Sequence, residues 1–323
     1  MTGEAWPVLA DLPAGPDWDF GGFPYGLEPL TLPPAGSRPP DPSGPGGPDA
    51  GLLRRSFDLI GPGAAGGLPP CTAPDELFWF RWITGHQVSF VVWWLAALLV
   101  DDAVEARAPW SAIAGPLCSL VRGYGAMLLY TGSCPRGIYH EVIRPGMRRH
   151  HPGFSGSWAP DYGPVRDLLR SRWLPFVRSP ESGELQRAIG LVRLVHDAVA
   201  AKLVPDGRSL LRQSGVRRQD TGLLHLIYDS YFWTLRAAVS RDRVVAQLIR
   251  RLVAVARDLA ANGLHPSVAD ADRPPELWAP EVIALETAIP DLLRQVAHDA
   301  AGFPAGDLGE RAAWARKVDF AGC

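Results

Sequence analysis

Cysteine is scarce in this chain, and the spacing of the cysteines argues against two common kinds of site. Cys71, Cys118, Cys134 and Cys323 include no pair with the CxxC spacing that is typical of zinc sites and redox centres. No secretory signal is recognisable before them, so a disulfide framework is not expected either. We therefore expect reduced thiols and a cytoplasmic protein.

An excess of positive charge is also missing. The 323 residues carry a formal net charge of -2, and the arginines are scattered among acidic residues. Because nucleic-acid binding depends on neutralising phosphates, we expect no nucleic-acid partner. The longest apolar run, residues 89–100, is only about half as long as a membrane-spanning helix. This run predicts a buried core helix, and we expect no association with a membrane.

Residues 1–70 are rich in proline and glycine. Proline removes an N–H donor from helices and from sheet ladders, so this region is predicted to be an arm rather than part of the core. The arm contains more aromatic residues than a linker normally does, and we expect it to pack on the core or on a neighbouring subunit. These residues are Trp6, Trp18, Phe20, Phe23 and Tyr25.

From residue 71 onward, apolar residues recur with helical periodicity. Helices are predicted at residues 72–100, 110–130, 164–177, 184–203, 222–238, 241–260 and 280–300. The alternation of apolar and polar residues that is typical of strands is nearly absent. The sequence therefore predicts a mostly α fold, in which one helical domain spans residues 71–323.

A first candidate site lies in the aromatic segment 75–94. His86 shares one predicted helix face with the large side chains of Phe78, Trp82, Phe90 and Trp93. Such a face is typical of a pocket wall that carries one imidazole. The alternative is a structural histidine inside an aromatic core.

A second candidate site is the basic segment 139–162, which glycine and proline interrupt. Arg144 can offer a planar fork of donors to a carboxylate, and the small residues near Ser155 and Ser157 can present backbone donors. Loops of this composition often bind ligands. The alternative is a solvated connection with surface arginines.

A third candidate is a lone histidine on the predicted helix 184–203. His196 is the single polar group on a stripe formed with Ile189, Val192, Val199 and Leu203, and we expect this stripe to be buried. An imidazole on a rigid element can serve as a metal ligand. A core histidine is the alternative explanation for His196, and His225 is a rival ligand in equally apolar surroundings.

Two of these segments resemble known haem enzymes. Residues 75–93 resemble a tryptophan dioxygenase motif in which Asp-Glu, His-Gln and a following tryptophan share one helix, with the histidine on the distal side of the haem. Residues 139–162 are more closely similar to the signature of the bacterial haem-dependent tyrosine 3-hydroxylases, which carry a similar Arg-Pro pair and a similar Phe-Ser-Gly-Ser-Trp-Ala-Pro-Asp-Tyr run. The resemblance extends over residues 70–253.

This resemblance implies a tryptophan dioxygenase-like helical haem domain. It implies that hydrogen peroxide is the oxidant and that L-tyrosine, or a close derivative, is hydroxylated ortho to the phenol, giving 3,4-dihydroxyphenylalanine for secondary metabolism. His196 would be the proximal iron ligand, with His225 as its rival, and His86 would move protons on the distal side. Ala200 stands where a related methyltyrosine hydroxylase has the cysteine that tethers its haem, so haem b is expected to be bound non-covalently.

The resemblance also implies a substrate pocket. Arg144 would anchor the amino acid carboxylate, and a homodimer is expected by analogy with the dioxygenases. The further residues assigned to the pocket are Phe78, Trp82, Phe154, Ser155, Ser157 and Trp158. Two alternatives stay open: a haem enzyme that opens an indole ring with dioxygen, and a helical binding protein without catalytic activity, which would be colourless.

Overall fold

The computed structural model describes residues 25–38, 50–58, 69–170, 182–204, 209–214, 221–266 and 273–302. These residues are mostly helical, which confirms the predicted fold class. The helices are α1 Ala50–Asp58, α2 Pro74–Val104, α3 Trp110–Gly132, α4 Arg136–Ile138, α5 Arg144–His150, α6 Tyr162–Leu169, α7 Gly183–Leu203, α8 Leu210–Ser214, α9 Thr221–Tyr231, α10 Arg241–Asn262 and α11 Pro280–Ala301.

Five short elements also occur in the described chain. A π-helical turn, Tyr139–Ile143, joins α4 to α5 without a break, and 3-10 turns lie at Gly156–Trp158 and Pro275–Trp278. Strands β1 (Leu30–Leu32) and β2 (Thr234–Arg236) form a parallel pair.

Helices α2 and α3 are the longest in the described chain, and they form the centre of its core. Both are long and apolar enough to cross a membrane by length and composition, but most of each apolar segment is buried inside the protein. Pro74 begins α2 in the first turn, where its missing N–H is not needed. The apolar run at residues 89–100 is therefore a core helix, as predicted.

Close approach between helices depends on glycine at two positions. Gly85 of α2 lies against Thr131 and Tyr130 of α3, and a Cβ atom at Gly85 would come within 2.5 Å of the Thr131 methyl carbon. Gly132 at the end of α3 lies against Val199 of α7 in the same way. The bare glycine backbone therefore allows α3 to pack tightly between α2 and α7.

A buried ion pair joins α2 to α10. The guanidinium of Arg81 donates to both carboxylate oxygens of Asp258, at 2.8 and 3.1 Å, and both side chains are inaccessible to solvent. The Tyr130 hydroxyl donates to the same carboxylate at 2.6 Å, and Ser133 accepts from Arg81 at 3.0 Å. Because a buried charge needs all of its partners, this network fixes how α2, α3 and α10 align.

Part of the proline-rich region packs on the helical core. Leu30 and Leu32 of β1 are fully buried. The side-chain amide of Gln247 in α10 accepts from the Thr31 N–H at 2.8 Å and donates to the Thr31 carbonyl at 2.9 Å. Helix α1, in the same region, packs against α10. The domain boundary at residue 70 and the expected homodimer stay predictions, and the first four arm aromatics lie outside the described residues.

The predicted helix 222–238 is wrong beyond its first half. Helix α9 ends at Tyr231, Trp233 takes a left-handed conformation with φ 51°, and residues 234–236 form β2. The partner of β2 is β1, about two hundred residues earlier in the chain. A pairing over this separation leaves no local periodicity, so the sequence alone could not indicate it.

Candidate active site

His86 lies in the middle of α2, where its imidazole is half-buried. Its Nδ1 is 2.6 Å from the carbonyl oxygen of Trp82, one turn earlier. A carbonyl oxygen can only accept, so Nδ1 carries the proton and Nε2 of the neutral ring carries a lone pair. Within the described part of the chain, Nε2 has no hydrogen-bond partner. His86 thus presents an unpaired proton acceptor at a defined place.

The surroundings of His86 keep this imidazole neutral. Burial lowers the pKa of His86 from its usual 6.5 to about 4, and the hydrogen bond to the Trp82 carbonyl opposes the change only in part. No charged side chain is among the causes. At neutral pH the ring is therefore unprotonated, and only an unprotonated ring can accept a proton from a substrate.

Aromatic rings surround the imidazole. Phe232, which follows α9, stacks on it with ring centroids 4.6 Å apart and planes 21° apart. Trp82 lies 4.4 Å away, and Phe90 meets the imidazole at 6.3 Å in an edge contact. These three residues, which we call the cage, restrict the orientation of the ring and shield it from part of the solvent.

A second set of aromatic residues backs the cage. Phe154 of the loop after α5 packs on Tyr231 at 4.8 Å and stacks on Tyr228 at 5.4 Å, and it also contacts Phe232 at 6.2 Å. Trp158 packs on Phe154 at 5.8 Å. The loop predicted to carry the pocket walls therefore reaches the histidine through Phe232.

Arg144 is connected to the same site through Tyr139. The two residues bracket the π-helical turn, and the Arg144 guanidinium donates a hydrogen bond to the Tyr139 hydroxyl. The Tyr139 ring packs on Trp82 at 5.6 Å. Burial raises the pKa of the Tyr139 hydroxyl and Arg144 opposes the rise, so the phenol stays protonated at neutral pH. Single π-helical turns are frequent at functional sites, where they redirect side chains.

Three other predicted pocket residues occupy different surroundings. Ser155 and Ser157 bond to each other, with their hydroxyl oxygens 2.9 Å apart, and the Ser155 oxygen also accepts from the Ser157 N–H at 3.3 Å. Phe78 is buried two helical turns before His86, where the Arg81 guanidinium lies 5.5 Å from its ring centroid. We observe no ring contact between Phe78 and His86 in the described chain.

The expected burial of His196 is wrong. The other four members of its stripe on α7, Ile189, Val192, Val199 and Leu203, are buried, but the side chain of His196 is 58% exposed. Its Nδ1 is 3.0 Å from a carboxylate oxygen of Asp197, which is itself exposed. The buried face of α7 packs mainly on α3, and at the position of His196 no described element covers the imidazole.

His225 lies on a helix that contributes to the site. It is half-buried on α9, seven residues before Phe232, which follows the end of that helix. Its imidazole makes no hydrogen bond with other described residues. Helix α9 also supplies Tyr228 and Tyr231, which pack on Phe154.

Several residues that form this site are not assigned to it by any pattern in the sequence. Tyr139, Tyr228 and Tyr231 were not proposed as site residues, and neither were Phe232 and the buried Gln87 beside His86. The aromatic density of residues 227–233 was the available signal, but periodicity could not show that the chain after α9 turns back onto α2.

Comparisons with known proteins find similarity mainly in the first half of the chain. A family model described as SfmD 3-methyl-L-tyrosine peroxygenase matches residues 37–186. This range includes His86, Arg144 and the Phe154 loop, but neither His196 nor His225. A curated 3-methyl-L-tyrosine peroxygenase from Streptomyces lavendulae is 31% identical over 176 residues, which cover 50% of this chain and 47% of that protein. The chain thus resembles a peroxygenase over about half the length of the curated relative it matches.

Proposed function

We propose that this protein is a haem-dependent peroxygenase that hydroxylates the ring of L-tyrosine, or of a close tyrosine derivative, ortho to the phenol. The observation that carries the proposal is the neutral His86 imidazole, whose Nε2 is unpartnered inside an aromatic cage. The similarity to a 3-methyl-L-tyrosine peroxygenase supports the oxidant and the class of substrate. The product from L-tyrosine would be 3,4-dihydroxyphenylalanine.

The residues around His86 fit a haem group. The indole N–H of Trp82 is buried and has no hydrogen-bond partner of normal geometry among the described residues. It lies close to the Tyr231 hydroxyl, where it only partly opposes the rise that burial causes in the pKa of that phenol. A buried donor beside aromatic walls suits a ligand that combines an apolar plane with acceptor groups, as haem does with its two propionates. When bound, haem b would supply the activation of hydrogen peroxide for transfer of one oxygen atom.

Two histidines can supply the bond to iron, and each has one structural feature in its favour. Asp197 lies 3.0 Å from Nδ1 of His196, which is the arrangement that orients a metal-binding imidazole and leaves its Nε2 for the metal. His225 instead shares α9 with the residues that pack behind the cage. Ala200 provides no thiol, which supports non-covalent binding of the haem.

His86 performs the proton transfers in the proposed reaction. As a neutral base, its Nε2 accepts a proton from hydrogen peroxide and returns it to the oxygen that leaves as water. The Trp82 carbonyl holds the proton on Nδ1, so the acceptor role stays with Nε2 throughout. The cage limits the access of bulk water, which would otherwise compete for the same proton.

Arg144 and the loop after α5 position the substrate. A guanidinium has five N–H donors, so Arg144 can bind the amino acid carboxylate while it keeps its bond to Tyr139. Phe154 and Trp158 supply flat apolar surfaces for the substrate ring. With the carboxylate held at Arg144, the ring of a tyrosine can extend toward His86 along the line of Tyr139 and Trp82.

The direct test is product formation. The purified chain is incubated with hydrogen peroxide and L-tyrosine or 3-methyl-L-tyrosine, and products with one added oxygen atom are identified by mass spectrometry. L-tryptophan is the matched comparison, because a ring-opened product from it would support the indole dioxygenase alternative instead. Absence of any product from a haem-loaded chain would overturn the proposal.

The visible spectrum tests the haem and its ligand. Protein produced with a haem precursor should show a Soret band, and the band should be lost in one of the variants His196→Ala and His225→Ala but kept in the other. A wild-type chain that stays colourless would refute the haem assignment and favour the helical binding protein.

A further inference from the structure

Gln87 follows His86 in α2 and is buried, with three hydrogen bonds to other parts of the chain. Its Nε2 donates to the carbonyl of Phe232 at 2.9 Å and to that of Glu28 at 3.2 Å. Its Oε1 accepts from Nε of Arg251 at 2.9 Å. Because carbonyl oxygens only accept and a guanidinium only donates, the amide has a single allowed orientation.

The bond to Phe232 acts on a strained turn. Trp233, the next residue, has φ 51°, a conformation that is costly for a tryptophan and persists only where the surroundings enforce it. The carbonyl of Trp233 accepts from the Leu30 N–H at 3.0 Å, and that of Phe232 accepts from Gln87 and, at 3.3 Å, from the Thr234 hydroxyl. Gln87 is the partner on α2, so it joins the strained turn to the helix that carries His86.

The Phe232 ring is the part of this turn that meets the catalytic candidate, since it stacks on the His86 imidazole at 4.6 Å. We infer that Gln87 is a positioning residue, which holds the Phe232 backbone so that the ring lies flat on His86 and fixes the direction of Nε2. The inference deepens the proposed function, because it rests on the role given to His86 there.

The chain offers a matched control in Gln247. Its amide is also buried, and it also bonds to the arm, through the N–H and carbonyl of Thr31. Gln247 has no bond to Phe232. The variants Gln87→Leu and Gln247→Leu therefore both remove buried amide bonds to the arm, and only Gln87→Leu releases the turn that carries Phe232.

The first readout is the pKa of His86, measured on the full chain by NMR of 13C-labelled histidine, in the diamagnetic ferrous carbonyl state if haem is bound. We expect Gln87→Leu to raise this pKa by about one unit relative to wild type, because a loosened stack admits water. Gln247→Leu should leave it unchanged. The second readout is hydroxylation: kcat should fall about tenfold in Gln87→Leu with KM little changed.

Charges near Gln87 cannot imitate this result. Arg251 would lower the pKa of His86 if it moved closer, and Glu28 is held by Arg250 at 3.4 Å. The variant Phe232→Leu leaves Glu28, Arg250, Arg251 and Gln87 in place and removes only the ring, so it should raise the pKa in the same direction. It also decides the question if Gln87→Leu does not fold.

An unchanged His86 pKa and kcat in Gln87→Leu would overturn the inference and leave Gln87 as an anchor of the arm. The same conclusion would follow if Phe232→Leu left the pKa of His86 unchanged. A wild-type chain without hydroxylase activity would refute the proposed function alone, since the NMR comparison does not depend on catalysis.

Discussion

His86 and His196 occupy similar places in the sequence, each a lone imidazole on the apolar face of a long helix, but their surroundings in the folded chain differ. His86 is enclosed by Trp82, Phe90 and Phe232, with its Nδ1 held by a backbone carbonyl. His196 is largely exposed, and its partner is an exposed carboxylate. A helix face by itself therefore does not determine the environment of the histidine on it.

The difference comes from the rest of the chain. At the level of His86, the π-helical turn and the end of α9 close over α2, and they bring Tyr139 and Phe232 with them. On α7, the side chains of Val192 and Val199 are buried, whereas the His196 imidazole between them is largely exposed. Burial of a histidine thus depends on contacts between distant segments, and each contact can be tested by substitution.

The largest expected effect is on catalysis at the enclosed histidine. We expect His86→Ala to lower kcat/KM for peroxide-dependent hydroxylation by about 10²- to 10⁴-fold, because it removes the group that transfers the proton. The measurement is steady-state kinetics with L-tyrosine or 3-methyl-L-tyrosine. The matched control is His140→Ala, an exposed histidine in the π-helical turn, which should retain full activity.

The next effect is on stability at acidic pH. The pKa of His86 is lowered from 6.5 in the unfolded chain to about 4 in the folded one. The unfolded chain therefore takes up the proton first as the pH falls. The contribution of neutral His86 to the free energy of unfolding is complete above pH 6.5 and is lost as the pH falls toward 4. Since one pKa unit equals about 1.4 kcal/mol, the loss is roughly 3 kcal/mol. Urea unfolding at several pH values measures it.

The variant His86→Phe isolates this contribution, because a neutral ring of similar size cannot take up a proton. Its free energy of unfolding should fall less between pH 6.5 and 4 than that of wild type. Equal slopes in wild type and His86→Phe would contradict the burial of His86.

Much of the helical fold could be predicted from the sequence because helical periodicity is a local signal. Helices α3, α7, α10 and α11 begin and end within about two residues of their predicted bounds. The β1–β2 pair could not be predicted, since strand pairing connects residues 30–32 with residues 234–236. The left-handed Trp233, which ends the predicted helix early, depends on the same distant contacts.

For the candidate site, the sequence indicated several of the residues that lie together, but not which residues contact one another. His86, Trp82, Arg144 and Phe154 were proposed from residue type and resemblance, and the structure brings them into one connected set of contacts. Phe232 was not proposed, because its position against His86 depends on a turn that no local pattern encodes. Exposure of His196 was missed for a related reason, since periodicity gives the direction of a side chain and not what covers it.

A smaller effect on the kinetics is expected at Arg144, which is connected to His86 through Tyr139 and Trp82. We expect Arg144→Lys to raise KM for the amino acid substrate about tenfold with little change in kcat, because a lysine cannot offer a planar fork to the carboxylate. The control is Arg136→Lys, an exposed arginine at the start of the same helical segment. An equal change in both variants would remove Arg144 from the substrate site.

The smallest effect is expected at the exposed histidine itself, in the chain without added haem. His196→Ala should change the free energy of unfolding by less than about 0.5 kcal/mol, as is usual for exposed positions. Val199→Ala, one turn further on the same stripe, should cost roughly 2 kcal/mol, because it removes two buried methyl groups that pack on Gly132. Denaturant unfolding measures both.

Adding haem sharpens this last comparison. If His196 binds the iron, haem should stabilise wild type and Val199→Ala but not His196→Ala. In the presence of haem, His196→Ala would then lower the free energy of unfolding more than Val199→Ala does. If His225 binds the iron, haem should stabilise His196→Ala as much as wild type. A cost near 2 kcal/mol for His196→Ala without haem would contradict its exposure, and the contrast with His86 would then no longer hold.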